Sequence, residues 1–319
     1  MHFKLFMIET KIQNNIPLAP LTTFKIGGPA KFFIEIGTKE DLIGAVRWAK
    51  EKGEKIFILG GGSNILIGDK GVDGFVVKIN NNQADIKGER VHAGAGALLS
   101  RVNIMANGSG LSGLELSVGI PGTVGGAIRG NAGAYGFNIG DSAETVEVFN
   151  FNKNHFEQFS KKDCRFGYRD SIFKYDPNLL IWNVILKLEN GEQGEMKDKI
   201  DEHIKKRTGS QPRLPSAGCI FKNFSLESLR SANEKLAGLA ESSGKVKGGM
   251  VGAGWIIELL DLKGKAIGGA KISLEHANFI VNTGKATSED VIMLISYIKQ
   301  QVRDRFKVQL HEEIQYFGI

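Results

Sequence analysis

Cysteine is nearly absent from the sequence, with only Cys164 and Cys219 among 319 residues. Neither belongs to a CxxC pair or to a cluster of cysteine and histidine, so nothing in the sequence indicates a structural zinc site. We therefore expect no bound metal. Two isolated cysteines in a chain of this length are typical of free thiols in a reducing compartment.

Long apolar runs and blocks of a single charge are also missing. No apolar stretch approaches the ~18 residues that a membrane helix needs, and residues 5–8 are too few for a signal-peptide core. We therefore expect a cytoplasmic protein with no membrane partner. The formal net charge is +6, but Lys and Arg are scattered, so we expect no nucleic-acid partner. The charge fits either phosphate-bearing small molecules or a solvated basic surface.

Glycine, by contrast, is abundant: the chain has 41 glycines in 319 residues, whereas ~7% is usual. Hydrophobic residues (42%) and charged residues (24%) have ordinary frequencies, so the composition indicates neither disorder nor a collagen-like repeat. Glycine is the residue used where the backbone turns tightly or approaches a ligand closely.

Local patterns indicate a mixed α/β chain. Thr38 begins a capping sequence for a helix that stops at Gly53, and a buried strand follows over residues 55–59. Further strands are predicted at 75–79, 91–96, 145–149, 181–188, 279–282 and 308–317, and further helices at 97–107, 195–207, 226–242 and 287–305. The proline-containing stretch 211–215 is the candidate domain boundary.

Common nucleotide motifs do not explain the glycines. Residues 108–113 read G-x-G-x-x-G, but a helical pattern precedes them, whereas a dinucleotide fingerprint follows a strand. No G-x-x-x-x-G-K-[ST] sequence is present, so a P-loop is excluded.

Two other glycine loops are better candidates for a ligand site. Gly60-Gly61-Gly62 follows the buried strand, and Ser63 and Asn64 add side-chain donors, a combination suited to a pyrophosphate. The second loop, residues 119–127, reads Gly-Ile-Pro-Gly-Thr-Val-Gly-Gly-Ala and continues into a further glycine-rich stretch at 130–136. A single such loop would be interpreted as a tight turn, but two in one chain favour ligand binding.

These two loops carry a family resemblance. Residues 59–66, Leu-Gly-Gly-Gly-Ser-Asn-Ile-Leu, together with residues 119–127 resemble flavoenzymes of the vanillyl-alcohol-oxidase type, and more closely the UDP-N-acetylenolpyruvoylglucosamine reductase family. The similarity runs from Thr22 to the last predicted strand. It implies non-covalently bound FAD, with NADPH as hydride donor and a nucleotide sugar as substrate. The cofactor-binding residues that it implies are Gly60, Gly61, Gly62, Ser63, Asn64, Ile65, Gly119, Pro121, Gly122, Thr123, Gly125, Gly126, Ala127, Asn131 and Gly133.

The resemblance also implies an α+β fold, in which two α/β subdomains of the FAD-binding type precede an α+β substrate-binding domain. We assign residues 1–90 and 91–208 to the two FAD-binding subdomains and residues 209–305 to the substrate-binding domain. Residues 306–319 are expected to form a C-terminal strand that carries a catalytic glutamate.

Three catalytic residues follow from the family's motifs. Arg169 lies in the Tyr-Arg-x-Ser block, where a guanidinium matches a carboxylate; without the resemblance, a structural Arg–Asp pair would be the simpler interpretation. Cys219 replaces the family's serine in the block Ser-Ala-Gly-Ser-x-Phe-Lys-Asn, and a thiol, with an ordinary pKa of ~8.5, is a better acid than an alcohol. A small buried cysteine is the alternative, and it is our interpretation of Cys164.

The third catalytic residue is a glutamate near the C-terminus. Alternation in a strand puts Leu310, Glu312 and Ile314 on one face and Glu313 on the other, and the pattern alone does not say which glutamate faces inward. The family motif selects Glu313, as an aid to protonation.

Substrate contacts are expected from Tyr168, Arg207 and Asn223, with Lys222 and Arg213 as weaker candidates. His276 falls in another family block and is expected to be structural. The tyrosine loop found in one branch of the family has no counterpart before residue 190, so the chain resembles the shorter branch, with a different pyrophosphate clamp. Two other functions remain open: an oxidase of the same flavin fold acting on an alcohol or sugar, and a phosphate- or nucleic-acid-binding module without chemistry.

Overall fold

The chain divides into two units, each with its own hydrophobic core. A computed structural model describes residues 8–319. Among these residues, the first unit comprises 8–16, 30–62 and 73–207, and the second comprises 17–29, 63–72 and 208–319. Each core is drawn entirely from one unit, so both units bury apolar surface independently.

The first unit contains a four-stranded sheet and a helix that packs into the same core. The sheet has the order β1–β2–β5–β3, formed by β1 (Gln13–Pro17), β2 (Pro29–Ile36), β3 (Ile56–Leu59) and β5 (Val72–Ile79). Helix α1 (Lys39–Lys52) begins where the Thr38 side chain accepts a hydrogen bond from the Asp41 N–H at 3.1 Å. It ends at Gly53, whose φ of 69° lies in the left-handed region.

An antiparallel sheet of five strands forms the other half of this unit, in the order β12–β11–β13–β7–β6. Its strands are β6 (Ala84–Lys87), β7 (Arg90–Gly94), β11 (Ala143–Asn150), β12 (His155–Ser160) and β13 (Leu179–Lys187). Its helices are α2 (Leu99–Gly108), α3 (Val124–Gly130), α4 (Ile139–Ser142) and α5 (Gln193–Thr208), with 3-10 turns at Glu115–Ser117 and Ile172–Lys174. Two short strand pairs complete the unit: β8 (Leu111–Ser112) with β14 (Glu189–Asn190), and β9 (Gly133–Ala134) with β10 (Phe137–Asn138).

The second unit is built on a four-stranded sheet in the order β15–β21–β20–β19. Its strands are β15 (Ser216–Cys219), β19 (Ala266–Ile267), β20 (Ala270–Ile272) and β21 (Phe279–Asn282). A three-stranded sheet adds β16 (Phe224–Ser225), β17 (Val246–Lys247) and β18 (Met250–Val251). The helices are α6 (Leu226–Ala232), α7 (Glu234–Ser242), α8 (Ala253–Glu258) and α9 (Ser288–Phe306), and a further 3-10 turn spans Ala19–Leu21.

A parallel strand pair joins two distant parts of the sequence within the second unit. Strand β4 (Ile65–Ile67) pairs with β22 (Gln315–Phe317), in the register Gln315 to Ile65. The segment that follows Gly60-Gly61-Gly62 is therefore held by the segment that follows Glu313.

Two predicted elements differ from the structure. The single helix expected over 226–242 is broken at Asn233, whose side chain accepts a hydrogen bond from the Leu236 N–H at 2.9 Å and so begins a new helix. The last strand covers only 315–317 rather than 308–317. Burial still alternates before it, with Val308 and Leu310 buried and Gln309 and His311 exposed, whereas Glu312 and Glu313 are both half-buried.

Among residues 8–319, no helix combines the length and apolar character required to cross a membrane.

Candidate active site

The two glycine loops within the first unit lie backbone against backbone. A Cβ atom added at Gly61 would stand 2.7 Å from the Gly122 Cα, and one added at Gly60 would stand 3.0 Å from the Thr123 Oγ1. Gly119 and Gly122 have φ values of 73° and 108°, a conformation that side chains disfavour. Glycine is therefore required at these positions by close approach and by backbone conformation.

Backbone hydrogen bonds hold the second loop in place. The Val124 and Gly125 N–H groups donate to the carbonyls of Ala97 and Ala95, at 2.8 and 2.9 Å. Gly125 packs tightly here, since a Cβ would come within 2.7 Å of the Ala95 Cβ. Gly126 differs, because it is exposed and an added Cβ would meet only the Thr123 Oγ1, at 3.6 Å. The loop is thus held by backbone hydrogen bonds, and at Gly126 its backbone is exposed and not covered by side chains. This arrangement allows close approach of a dinucleotide such as FAD.

Other residues that were predicted to bind the cofactor make contacts within the protein itself. Asn131 is buried; its amide donates to the Gly167 carbonyl at 2.7 Å and its side-chain oxygen accepts from the Gly140 N–H at 2.9 Å. Gly133 lies in the β9–β10 hairpin, where a Cβ would stand 2.0 Å from the Phe137 carbonyl oxygen. Pro121 is exposed, whereas Ala127 is buried within α3.

Arg169 lies at the tip of a two-residue turn in an unusual backbone conformation. The N–H and carbonyl groups of Gly167 and Asp170 bond to each other on either side of the tip, at 3.0 and 3.1 Å. Arg169 has a φ of 52°, in the left-handed region that glycine and asparagine normally occupy. Such strain costs of the order of 1–3 kcal/mol and is often retained at functional sites.

Several contacts fix Arg169 against the glycine-rich stretch. Its guanidinium donates to the Gly133 carbonyl and, at 3.5 Å, to the Asn131 carbonyl. Lys174 donates to the Arg169 carbonyl at 2.6 Å, a contact that sequence reasoning missed because no motif contains this lysine. Tyr168 is exposed, with its ring centroid 5.4 Å from the Arg169 guanidinium carbon. Arg207 is half-buried and approaches Gly119, where an added Cβ would stand 2.9 Å from the arginine Nε.

The second unit brings Cys219 and Glu313 onto neighbouring backbone segments. Cys219 ends β15, paired with Phe279, and the next residue, Ile220, accepts a hydrogen bond from the Glu313 N–H at 2.7 Å. The amide of Asn64 donates to the Glu313 carbonyl at 3.2 Å, so the segment after the first glycine loop also reaches this place. Ser63 lies beside Asn64 in this unit, and Ile65 begins β4.

Asn278 organises the backbone after Cys219. Its side chain accepts from the Phe221 N–H at 2.9 Å and donates to the Phe221 carbonyl at 2.8 Å, and its own carbonyl accepts from the Ile220 N–H at 2.8 Å. His276 accepts from the Asn278 N–H at 3.2 Å. Burial lowers the pKa of His276, which favours the neutral ring that this hydrogen bond requires. The His276 ring is thus hydrogen-bonded within the fold, and a structural role remains the prediction.

The two adjacent glutamates have different surroundings. Glu312 forms an ion pair with Lys299 of α9, with 2.7 Å between Oε1 and Nζ. Glu313 is anchored through its backbone, to Ile220 and Asn64. The carboxylate of Glu312 is thus engaged by a cation of the same unit.

The remaining predicted substrate residues also lie in the second unit. Asn223 is exposed, and its side-chain oxygen accepts from the Ala253 N–H at 3.1 Å. Lys222 is half-buried and Arg213 is exposed.

The other cysteine, Cys164, is fully buried in the first unit, where desolvation raises the pKa of its thiol to about 12. A thiol held neutral in an apolar core is inert.

Comparisons with known proteins cover both units. A family model described as "FAD binding domain" matches residues 30–152, and one described as "UDP-N-acetylenolpyruvoylglucosamine reductase, C-terminal domain" matches residues 211–317. The chain thus carries an FAD-binding domain followed by the reductase's C-terminal domain, and the expected α+β fold class is confirmed.

Full-length relatives carry the same name. A UDP-N-acetylenolpyruvoylglucosamine reductase of Solibacter usitatus is 37% identical over 308 residues, covering 96% of this chain and 97% of the relative. One of Caldanaerobacter subterraneus is 38% identical over 317 residues, covering 99% and 96%. The crystal structure of the Thermus caldophilus reductase matches with a TM-score of 0.77 at 33% identity, covering 96% of this chain and 98% of the other. The chain belongs to the UDP-N-acetylenolpyruvoylglucosamine reductase family.

Proposed function

We propose that this protein uses NADPH to reduce the enolpyruvyl double bond of UDP-N-acetylglucosamine enolpyruvate, giving UDP-N-acetylmuramate for peptidoglycan synthesis. FAD is held without a covalent bond, and Arg169, Cys219 and Glu313 act on one substrate. In this reaction a hydride and a proton add across the carbon–carbon double bond, so two electrons leave NADPH and NADP⁺ is released.

The observation that carries the proposal is the pairing of Cys219 and Glu313. A proton donor and a carboxylate are brought onto adjacent backbone segments, tied by the hydrogen bond of 2.7 Å from the Glu313 N–H to the carbonyl after Cys219. We assign the Cys219 thiol as the group that delivers the proton, and the Glu313 carboxylate as the group that orients the thiol or a water. General acid catalysis of this kind contributes about 10²–10⁴-fold in rate.

Arg169 is assigned to the substrate carboxylate. Negative charge develops on the carboxylate side of the double bond during reduction, and a guanidinium stabilises it by paired hydrogen bonds. The strained turn and the Lys174 contact keep Arg169 fixed, so little reorganisation is needed when charge develops. Tyr168, Arg207 and Asn223 are assigned to the rest of the nucleotide sugar.

The loops at 60–65 and 119–127 would hold the cofactor, together with the stretch that contains Asn131 and Gly133. FAD, when bound, supplies the hydride chemistry that no amino-acid side chain provides. The protein's contribution is to present backbone N–H groups to the pyrophosphate and to hold the substrate-binding cations in place.

An oxidase of the same flavin fold is the second candidate. Oxidases of this fold often attach the flavin covalently through histidine or cysteine, and neither residue occurs in 60–65 or 119–127. A binding module without catalytic activity would not account for the presence of Arg169, Cys219 and Glu313 in the family's catalytic motifs.

Anaerobic stopped-flow absorbance separates these functions. NADPH is expected to bleach the flavin, and subsequent addition of the enolpyruvyl nucleotide sugar is expected to restore its colour and release UDP-N-acetylmuramate, identified by mass. Recolouring by oxygen but not by the nucleotide sugar would contradict the reductase and favour the oxidase. Protein without a flavin spectrum after reconstitution with FAD would contradict both.

A further inference from the structure

Helix α5 (Gln193–Thr208) packs on the first unit through a narrow face. Its buried residues are Met196 and His203, with Ile200 and Arg207 half-buried. The spacing of four, three and four residues places all of these on one side of the helix. Position 203 thus faces the core. An apolar side chain there would pack without burying a polar atom that needs a hydrogen-bond partner.

The imidazole at this position is unsatisfied. His203 is 8% exposed, and within the described residues neither Nδ1 nor Nε2 has a hydrogen-bond partner. Buried polar atoms in native proteins nearly always have partners, because an unmade hydrogen bond destabilises the fold. Packing alone does not account for a histidine here.

The side chain that covers His203 belongs to the glycine-rich stretch of the active site. The ring of Tyr135 stacks on the imidazole at 4.7 Å between centroids, tilted by 46°. Tyr135 is 48% exposed and has a φ of 55°, a strained backbone for an aromatic residue. It lies two residues after Gly133, whose carbonyl accepts a hydrogen bond from Arg169.

A basic residue of α5 lies beside this stack, and another lies one turn beyond His203. Lys206 lies 6.0 Å from the Tyr135 ring centroid and pairs with Glu202 at 2.5 Å. Arg207, one turn beyond His203, lies against Gly119 at the start of the second glycine loop. The packed face of α5 thus offers an imidazole and a guanidinium beside two loops assigned to the active site.

We propose that His203 and Arg207 form the diphosphate clamp of this protein, uncovered when the Tyr135 ring swings away. The inference rests on the proposed function, which supplies the diphosphate esters. An imidazole N–H and a guanidinium both donate hydrogen bonds to phosphate oxygens, and a ligand of this kind satisfies the ring that packing leaves without a partner. FAD, the nucleotide sugar and NADPH all carry a diphosphate; the protein is tested with FAD already bound, and the experiment distinguishes the other two sources.

The test measures binding of uridine diphosphate to the FAD-loaded protein by isothermal titration calorimetry. His203→Leu removes both ring nitrogens and is expected to raise the Kd for uridine diphosphate about 10- to 100-fold. His203→Gln retains an N–H donor and should recover part of the affinity. Met196→Leu, on the same helix face, is the matched control and should bind like the wild type. His203→Leu should unfold at a temperature no lower than the wild type, because it removes two unsatisfied buried atoms.

A second arm follows flavin reduction at varied NADPH concentration. If His203→Leu raises the apparent Kd for NADPH and leaves that for uridine diphosphate unchanged, the clamp serves the dinucleotide. If both constants stay within about twofold of the wild type, His203 is no phosphate ligand and the proposal is overturned. Neither arm requires turnover of the nucleotide sugar, so failure of the proposed reaction and failure of the clamp are distinguishable.

Discussion

The two units present functional groups in different ways. In the first unit, the loops at 60–62 and 119–127 depend on glycine where backbones touch, and Arg169 is held by carbonyl groups and a strained φ. In the second, Cys219 and Glu313 lie on segments joined by ordinary backbone pairing, which the Asn278 side chain reinforces. The candidate residues of the first unit thus depend on close backbone approach and a strained φ, whereas those of the second lie on hydrogen-bonded neighbouring segments. Substitutions should therefore impair cofactor binding in one unit and proton delivery in the other.

The largest effect is expected for Cys219→Ala. Without the thiol, flavin reoxidation by the nucleotide sugar should slow by about 10²–10⁴-fold, while flavin reduction by NADPH stays at the wild-type rate. Stopped-flow measurement of the two half-reactions checks both statements. Cys219→Ser should keep a substantial part of the rate, and Cys164→Ala, in the core of the other unit, should leave both half-reactions unchanged. If the flavin of Cys219→Ala were reoxidised by the nucleotide sugar at the wild-type rate, Cys219 would have no part in the mechanism.

The next largest effect is expected in the flavin reoxidation rate when Glu313, but not the adjacent Glu312, is replaced. Glu313→Gln should slow flavin reoxidation by about 10²-fold, at the low end for a proton-transfer group. Glu312→Gln should leave that rate unchanged and lower the free energy of unfolding by about 1 kcal/mol or less, because it breaks a partly exposed ion pair with Lys299. Rates and urea unfolding of both variants provide the comparison, and a reversed order of the rates would assign the reaction to Glu312.

Gly61→Ala tests the backbone contact in the first unit. The added Cβ overlaps the Gly122 Cα, and overpacking of this kind costs about 1–3 kcal/mol. We expect FAD affinity to fall roughly tenfold, measured by flavin fluorescence during titration of the apoprotein. Gly108→Ala is the control, since an added Cβ has no neighbour within 4 Å and the residue ends helix α2, outside the loops assigned to the cofactor. Equal FAD affinity in both variants would refute a steric requirement at Gly61.

The smallest effects concern stability in acid. In the first unit, burial of Glu115 acts to raise the pKa of its carboxyl, but hydrogen bonds from the Ser112 hydroxyl and Gly113 N–H outweigh it, so the pKa is lowered. In the second, N–H groups of Thr287 and Gly269 lower the pKa of Asp290. A carboxyl whose pKa is lower in the folded protein stabilises it above the unfolded pKa, and that stability is lost as the pH falls through the folded pKa.

Urea unfolding over a pH series checks the contributions of Glu115 and Asp290 to stability. The free energy of unfolding of the wild type should fall as the pH drops below about 4, the ordinary range of these carboxyls. Glu115→Gln and Asp290→Asn should each make that decline shallower. Unchanged slopes in both variants would mean that other carboxyls dominate acid unfolding.

Elements with local signals were predictable from the sequence. The Thr38 cap and Gly53 stop define α1, and the Thr287 and Asp290 side chains form the capping box that begins α9. The glycine loops were recognisable because close backbone contact requires that residue type. The family was recognisable because its motifs are long and specific.

What the sequence did not reveal depends on contacts between distant residues. The break at Asn233 is reinforced by a hydrogen bond of 2.8 Å from its amide to the Phe306 carbonyl, 73 positions away. Before β22, residues 311–313 are held by backbone hydrogen bonds to residues 220–222, a pairing that no local sequence signal indicates. The left-handed conformation of Arg169 has no sequence signal, because arginine rarely adopts it. Roles of individual site residues remain predictions.

The parallel pair of β4 and β22 constrains how this protein is made. Residue 65 pairs with residue 315, so 315 − 65 = 250 positions separate the partners. Closing so long a loop carries a large entropic cost and slows folding. On the ribosome, strand β4 cannot pair with β22 until residues 315–317 have been synthesised. A nascent chain can form the five-stranded sheet before that point, but Asn64 can donate to the carbonyl of Glu313 only after residue 313 has emerged.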